Sequence, residues 1–415
     1  MKILLSAYSC LPNAGSEPGI GWNWALEIAA CGHQVWVITR SVNKEAIESV
    51  CEKHSIQNPR FLFHDLSPTT QKLYRLPFGD YAYYVLWQYT AASLATRIHV
   101  KEKFDLVQHI TWCNFRLPSF MGKLGIPFIF GPVAGGEDTP KNLRRGLGLR
   151  GRVWDFLRRV SNSLLTSIPL MSATYSRATQ IVVTTHETLR EIPVAYRQKA
   201  TVQQGVGVDP QSVIIPALTE RPRRTPRARA RVELLYVGRL LPWKGLHLAF
   251  KALARLGEQI SSVHFTIVGS GSDQPRLKNL VQRLHIHESI TWVSWIPREE
   301  LIGMYADYDL FLFPSLHDSG GMALLEAMTL GLPVLCLDLG GPGVSVDNAC
   351  GRVITTEGRD EDRVAQAIAE FLREVLEGPA VLTHLSGGAR RRARSLTWEA
   401  SVRGLYGQDS VLQAN

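Results

Sequence analysis

No run of eighteen or more apolar residues occurs in this chain, so no segment reads as a helix crossing a bilayer. The six cysteines, Cys10, Cys31, Cys51, Cys113, Cys336 and Cys350, are scattered, without a Cys-x-x-Cys pair or a ladder of short spacings. That speaks against a disulfide framework and fits reduced thiols in a cytoplasmic protein. Acidic clusters at metal-ligand spacing are missing, so no resident metal is expected. The Gly-x-Gly-x-x-Gly dinucleotide fingerprint is absent, and no tandem repeat is visible. The apolar part of MKILLSAYSCLP is too short for a secretion signal and reads as a first strand. What is present is 415 residues, more than one typical core holds, so two domains are expected. A hydrophobic fraction of 45% with ordinary charge content indicates a soluble globular protein. The formal net charge of +9 admits nucleotides, nucleic acid or acidic lipid heads as partners without choosing among them.

Lys2–Tyr8 reads as an apolar strand, Ser9–Gly19 as a loop, Gly21–Cys31 as a helix and Gln34–Thr39 as a second strand. Together they make one βαβ unit, the start of a doubly wound sheet. Gly15, Gly19 and Gly21 either let the backbone approach a ligand closely or simply make the turn. Phe61–Asp65 suggests another strand, Tyr81–Val100 a helix, and Lys103–Ile110 a strand with His109 near its end. Pro127–Val133 is the next strand and runs into Ala134-Gly135-Gly136-Glu137. Ligands of open α/β sheets gather at the carboxyl ends of strands. His109 and Glu137 fall at such ends, although a lone histidine after a strand is often structural.

Asn142–Met171 mixes Arg144, Arg145, Arg150, Arg152, Arg158 and Arg159 with Trp154, Phe156 and other apolar residues. Helical spacing puts Val153, Phe156, Leu157 and Val160 on one side. This is either a basic amphipathic segment for an anionic membrane surface, or a helix packed on its own domain with a solvated basic face. Gln180–Thr184 is a strand. Pro216–Ala230, rich in proline and arginine, is a hinge-like or exposed connection. It lacks interleaved aromatics and a surrounding nucleic-acid module, so no nucleic-acid partner is expected.

The pattern then restarts. Glu233–Val237 is a strand, Leu246–Leu256 a helix, Phe265–Val268 a strand ending in Gly269-Ser270-Gly271-Ser272, and Arg276–Leu284 a helix. Ile290–Trp292, Leu332–Leu337 and Arg352–Ile354 are further strands, with Asp362–Leu376 a helix. These readings set a first domain at 1–207, a linker at 208–230, a second domain at 231–395 and a closing helix within 396–415.

Candidate chemistry is densest in Pro314–Pro333, PSLHDSGGMALLEAMTLGLP. It follows the strand-like Tyr308–Phe313 and turns through Asp318-Ser319-Gly320-Gly321 into a helix expected to end at Gly331. Backbone N–H groups at that positive helix end suit an anion. Glu326 is placed to accept hydrogen bonds from sugar hydroxyls, with Asp318 on the other side of the turn. Read plainly, the same stretch is a strand-to-helix join capped by Ser319.

This stretch resembles the nucleotide-sugar site of retaining family-4 glycosyltransferases, in which two glutamates with seven residues between them run into a helix of the type LLEAMAxGxPV. Leu324-Leu325-Glu326-Ala327-Met328 and Gly331-Leu332-Pro333-Val334 match, with Asp318 in place of the first glutamate. Val237–Gly245, VGRLLPWKG, resembles the family's phosphate-binding element, in which Arg239 and Lys244 converge on a diphosphate as a fork and a point charge. GSEPGIGWNWALE and Gly131–Glu137 resemble segments of one subgroup, and Thr397–Tyr406 the family's closing helix, which crosses back onto the first domain.

The resemblance implies an α/β protein of the GT-B fold: two Rossmann-like, doubly wound parallel-sheet domains facing across a cleft. It implies that the first domain binds the acceptor and the second the nucleotide-sugar donor. It gives Glu326 to the ribose, and Asp318, Ser319, Gly320, Gly321 and Met322 to the donor sugar. Arg239 and Lys244 take the phosphates, and His109 faces the reacting sugar. Gly15, Gly19, Gly21, Glu137, Gly269 and Gly271 join the substrate site. The implied reaction is retaining hexosyl transfer without metal or cofactor, the departing diphosphate being stabilised by cations. The implied acceptor is a glycan or a lipid-linked glycan of a cell-surface polysaccharide or lipopolysaccharide. Work in the cytoplasm with peripheral contact to an anionic membrane is the matching expectation. A nucleotide-sugar epimerase or phosphorylase of similar fold, and a non-catalytic nucleotide-sugar-binding protein, remain as alternatives.

Overall fold

The computed structural model describes residues 1–214 and 231–407. Seven parallel strands form the first sheet: β1 (Lys2–Ala7), β2 (Gln34–Thr39), β3 (Arg60–Phe63), β4 (Leu106–Thr111), β5 (Phe128–Val133), β6 (Gln180–Val183) and β7 (Ala200–Val202). Six make the second: β8 (Val232–Val237), β9 (Val263–Val268), β10 (Ile290–Val293), β11 (Leu310–Phe313), β12 (Val334–Leu337) and β13 (Gly351–Ile354). The spatial orders are β3-β2-β1-β4-β5-β6-β7 and β10-β9-β8-β11-β12-β13. Strand order therefore reverses between β1 and β4 in one sheet and between β8 and β11 in the other. Such switch points leave a crevice at the carboxyl ends of the strands. Strands β5, β11 and β12 are near-continuous apolar runs, as expected where helices cover both faces of a sheet, whereas the central β4 carries Gln108 and His109. Burying each large apolar side chain contributes roughly 1.5–3 kcal/mol.

Chain contacts divide the molecule into two compact units. The first holds Met1–Gly136, Arg159–Val206 and the helix Trp398–Tyr406. The second holds Glu137–Arg158 and Gly207–Thr397. The closing helix joins the first unit as expected: Tyr406 donates its hydroxyl to the side-chain oxygen of Gln108, and Gln203 donates to the Ser401 carbonyl.

Residues 137–158 differ from expectation, because they pack with the second unit instead of the first. Within that unit Glu361, a buried carboxylate, accepts the Gly146 N–H, while Arg276 donates to the Gly146 carbonyl at 2.5 Å. The expected linker begins in an ordered stretch, since Val208 bridges to Thr397. Its Pro216–Ala230 part lies outside the described residues.

Two boundaries also move. The first helix starts at Ser16 and ends at Ala30, so Pro18 lies in its first turn, where a missing N–H costs nothing. The start at Ser16 thus falls inside the stretch expected as the loop Ser9–Gly19. Strand β4 begins at Leu106 because the preceding helix Gly79–Glu102 persists and closes on Lys103 with φ 55°. No helix of the described residues is long and apolar enough to cross a membrane.

Candidate functional site

In the second unit, the loop after β8 and the loop after β9 nest together. Gly238 donates to Val268 at 3.0 Å, Leu240 to Ser270 at 2.9 Å and Asp273 to Leu240 at 3.0 Å. A side chain on Gly269, which has φ 141°, would strike the Gly238 carbonyl, and one on Gly271 would strike the Leu240 carbonyl. These two glycines spend their missing Cβ on the chain's own backbone. They let the two loops nest and so shape the loop that carries Arg239 and Lys244. Arg239 is exposed, its carbonyl held by the Tyr236 hydroxyl at 3.1 Å.

Lys244 ends a single tight turn, Pro242–Lys244, and Gly245 follows at φ 70° against the Pro314 carbonyl. Leu316 donates to the Trp243 carbonyl at 2.8 Å, and the Trp243 ring stacks on His317 with centroids 5.2 Å apart. These contacts fix the β8 loop against the loop after β11. Lys244 consequently forms an ion pair with Asp318 and lies 5.4 Å from the Phe313 ring centre. The side chains of Lys244 and Asp318 are 15% and 18% exposed, so the pair is sheltered yet reachable.

Asp318 leads through Ser319 and Gly320 to Gly321, the N-cap of the helix Met322–Thr329. Gly321 sits at φ 130° and no side chain caps this helix, so the capping role read for Ser319 is wrong. Left-handed backbone at the cap position already sets the entry angle, and glycine alone tolerates it cheaply. Behind the turn, Gly341 donates to the Asp318 carbonyl at 2.7 Å, and Gly340 and Gly341 have no room for side chains. Sequence reasoning passed over this backing pair, although GGPG directly after β12 was the signal. The helix closes through Gly331 at φ 83°, as expected.

Glu326 is buried in that helix, and its Oε1 accepts from Arg298 at 2.8 Å (Nη2) and 3.2 Å (Nε). Burial pushes its carboxyl up from the ordinary value, while the Arg298 charge and hydrogen bonds from Arg298 and Tyr305 pull it back. Arg298, the first residue of the helix Arg298–Met304, was not legible: Pro-Arg-Glu-Glu looks like any helix start.

The first unit treats its candidates differently. His109 is fully buried on β4, with Nε2 3.2 Å from the Trp112 carbonyl and 3.3 Å from the Tyr84 hydroxyl. The Phe130 ring packs beside it, and burial drives its pKa down to about 4. The imidazole is thus neutral, and the Trp112 carbonyl assigns the proton to Nε2. Here it sits inside the unit and faces no solvent. Glu137 is also buried, and it belongs to the second unit.

Gly19 and Gly21 lie within the first helix, where a Cβ would meet the Ala14 and Ser9 carbonyls. They serve helix-to-loop packing. Only Gly15, the N-cap with nothing within 4 Å, keeps the open surroundings a ligand approach would need. The residue missed here is Glu17, a carboxylate in the first turn that accepts the Cys113 N–H and whose pKa burial raises.

So the second unit brings Lys244 to Asp318, with Arg239 in the same loop as Lys244 and Glu326 in the helix that follows Asp318. Lys and Arg there suit phosphate oxygens, and ionised carboxylates suit hydroxyl donors. Among the described residues no three His, Cys, Asp or Glu side chains group to hold a metal ion.

Residues 219–380 match the family model described as Glycosyl transferases group 1. A glycogen synthase of Mycobacterium tuberculosis (strain H37Rv) is 32% identical over 180 residues, 43% of this chain and 41% of that protein. The chain thus covers less than half the length of this curated relative. Two solved structures share the fold over almost the whole chain. WaaG, a glycosyltransferase of lipopolysaccharide biosynthesis, superposes with TM-score 0.58 at 20% identity, covering 98% of this chain and all (100%) of WaaG. HepE of Anabaena, solved with UDP, gives TM-score 0.60 at 16% identity over 97% of both chains. Residues 219–380 therefore carry the group 1 glycosyl transferase signature, and the chain as a whole has the GT-B fold.

Proposed function

We propose that the protein is a retaining glycosyltransferase. It moves a hexosyl group from a nucleoside-diphosphate sugar to a glycan or lipid-linked acceptor in the building of a cell-surface polysaccharide, working in the cytoplasm. One observation carries the reading. Lys244 and Asp318 are clamped together at the carboxyl ends of the adjacent strands β8 and β11, and the buried Glu326 stands in the helix that follows Asp318. The group 1 signature over 219–380 and the UDP held by HepE support it.

In the resting protein Lys244 and Asp318 neutralise each other. An arriving diphosphate competes for Lys244, with Arg239 from the same loop, and so releases Asp318 to accept hydrogen bonds from the donor sugar. Glu326 keeps one oxygen on Arg298 and offers the other to ribose hydroxyls. As the bond to the anomeric carbon breaks, negative charge grows on the diphosphate, and the fixed cations stabilise it without reorganising. The acceptor attacks the face the diphosphate leaves, and a diphosphate oxygen takes the acceptor's proton. No side-chain nucleophile or divalent ion enters this scheme.

A thermal-shift screen with UDP, GDP and ADP sugars tests it. Ligand at about 100 times Kd adds roughly 2.7 kcal/mol of stability, so one nucleotide class gives a clear rise that shrinks in Glu326→Ala. No rise with any of the three refutes the donor site. The buried His109 favours one rival, a binding protein without turnover, for which the nucleotide raises the melting point but no nucleoside diphosphate is released with any acceptor.

A further inference from the structure

The helix Gly148–Thr166 is turned inside out for a protein in water. Residues advance about 100° around a helix, so Leu149, Val153, Leu157, Val160 and Leu164 form one stripe, with Phe156 at its edge. That stripe points outward: Leu149 is 77% exposed, Val153 50%, Leu157 53% and Leu164 64%, and Trp154 beside it is 62% exposed. The face turned to the protein carries Gly151, Asp155, Asn162 and Thr166, all buried. Asp155 pairs with Arg144 at 3.1 Å, Asn162 accepts from Arg116 at 2.8 Å, and Gly151 lies against Pro242.

The helix does pack on the protein, as one of the two sequence readings has it, but by its polar side, which leaves the apolar stripe outside. Polar anchors hold the helix, and its leucines are presented to the outside. Apolar side chains ranked along one face mark an interaction surface. The charges identify the partner. Arg150 and Arg152, both exposed, flank the stripe on its two sides, and Asp155, the helix's sole acid, is on the inner face. A stripe of leucine and valine between two rows of arginine, with a tryptophan at its margin, complements anionic headgroups above an acyl boundary. A protein partner would instead need an acidic rim matched to two narrow rows.

We propose that this helix lies along an anionic lipid surface, its apolar stripe in the acyl boundary, Trp154 at the headgroup level and Arg150 and Arg152 on lipid phosphates. The donor chemistry of the second unit plays no part in the argument. Co-sedimentation of the full chain with vesicles tests it. Phosphatidylglycerol-containing vesicles carry the protein down, and phosphatidylcholine vesicles do so far less. Arg150→Glu/Arg152→Glu lowers binding by at least about fivefold per arginine. Val153→Ser/Leu157→Ser abolishes sedimentation with an unchanged melting temperature, because both side chains are already in water in the free protein. Wild-type protein left in the supernatant at low salt overturns the proposal, as does sedimentation of both variants like wild type. So does self-association in analytical ultracentrifugation that Val153→Ser/Leu157→Ser dissolves while no vesicle binds, which gives the face to a second copy.

Discussion

The carboxyl ends of β8 and β11 and those of β1 and β4 are the same place in two sheets of matching topology, yet they are built from opposite materials. Past β8 and β11 stand the exposed Arg239 and the sheltered but reachable ion pair of Lys244 and Asp318. Past β1 and β4 stand Tyr8, Trp112 and Tyr84, three rings within 5.5 Å of one another by centroid, with the neutral His109 beneath and the half-buried Glu17 accepting the Cys113 N–H. A site for a diphosphate must hold its cations in place yet leave them reachable, as the Lys244–Asp318 pair is. An aromatic lattice instead fixes shape by burial. The shared topology supplies the location, and the side chains decide the chemistry.

If that contrast is right, its hardest test is Lys244→Ala. Removing the fixed cation is expected to lower kcat by about 10²–10³, the usual cost of losing one preorganised stabilising group. Release of the nucleoside diphosphate measures it. Lys244→Arg should restore part of the rate, since the charge returns in a different shape. Full activity in the alanine variant would place the charged site elsewhere.

The aromatic end should answer to pH in stability. His109 has its pKa lowered to about 4 by burial, against about 6.5 in an unfolded chain. Between those values the unfolded state binds the extra proton, so this contribution is complete above pH 6.5 and is lost as pH falls toward 4. The difference is about 3 kcal/mol by linkage. Denaturant melts at pH 7 and 4.5 should diverge less in His109→Gln than in the wild type. Equal divergence would mean that the ring is not buried neutral.

A smaller effect distinguishes shaping from binding. Gly269→Ala forces a side chain against the Gly238 carbonyl at a positive φ. We expect it to destabilise the fold by about 1–3 kcal/mol, read as a lower melting temperature in the absence of nucleotide. A variant as stable as wild type but unable to bind nucleotide would make Gly269 a ligand contact after all.

The unequal legibility of the two ends has the same cause. Lys244, Asp318 and Glu326 stood out because their stretches resemble a glycosyltransferase donor site, and the glycines around them mark backbone that other residues cannot adopt. The strands were readable as apolar runs bounded by turn residues. The attachment of residues 137–158 to the second unit was not, since it rests on Glu361, Arg276 and the Gly146 backbone meeting across more than a hundred residues. Nor was the inversion of helix Gly148–Thr166. Spacing separates an apolar from a polar face but does not say which one turns inward, and Asp155 and Asn162 found their arginines only in three dimensions. Arg298 was missed for that reason too.

Arg298 makes the finest test of the comparison, because it does at the charged end what solvent exclusion does at the aromatic one: it sets a protonation state. Glu326 is buried, which raises its pKa, and the groups opposing this are Arg298 from the preceding helix Arg298–Met304 and Tyr305 from the turn that ends it. Nucleotide binding through Glu326 requires the ionised carboxylate, so affinity should fall as pH drops through that raised pKa. Arg298→Ala removes the main opposing charge and moves the pKa further up. Affinity for the nucleotide should then begin to fail at a higher pH than in wild type, with a loss of about tenfold at neutral pH, the size of one charge-assisted hydrogen-bond pair. Arg298→Lys should recover part of the shift, and Glu326→Gln should bind weakly with no such pH dependence. Calorimetric titration of the nucleotide at pH 5.5, 7 and 8.5 reads all four proteins. If Arg298→Ala lowers affinity equally at every pH, the guanidinium contacts the nucleotide itself and is not the keeper of the Glu326 charge.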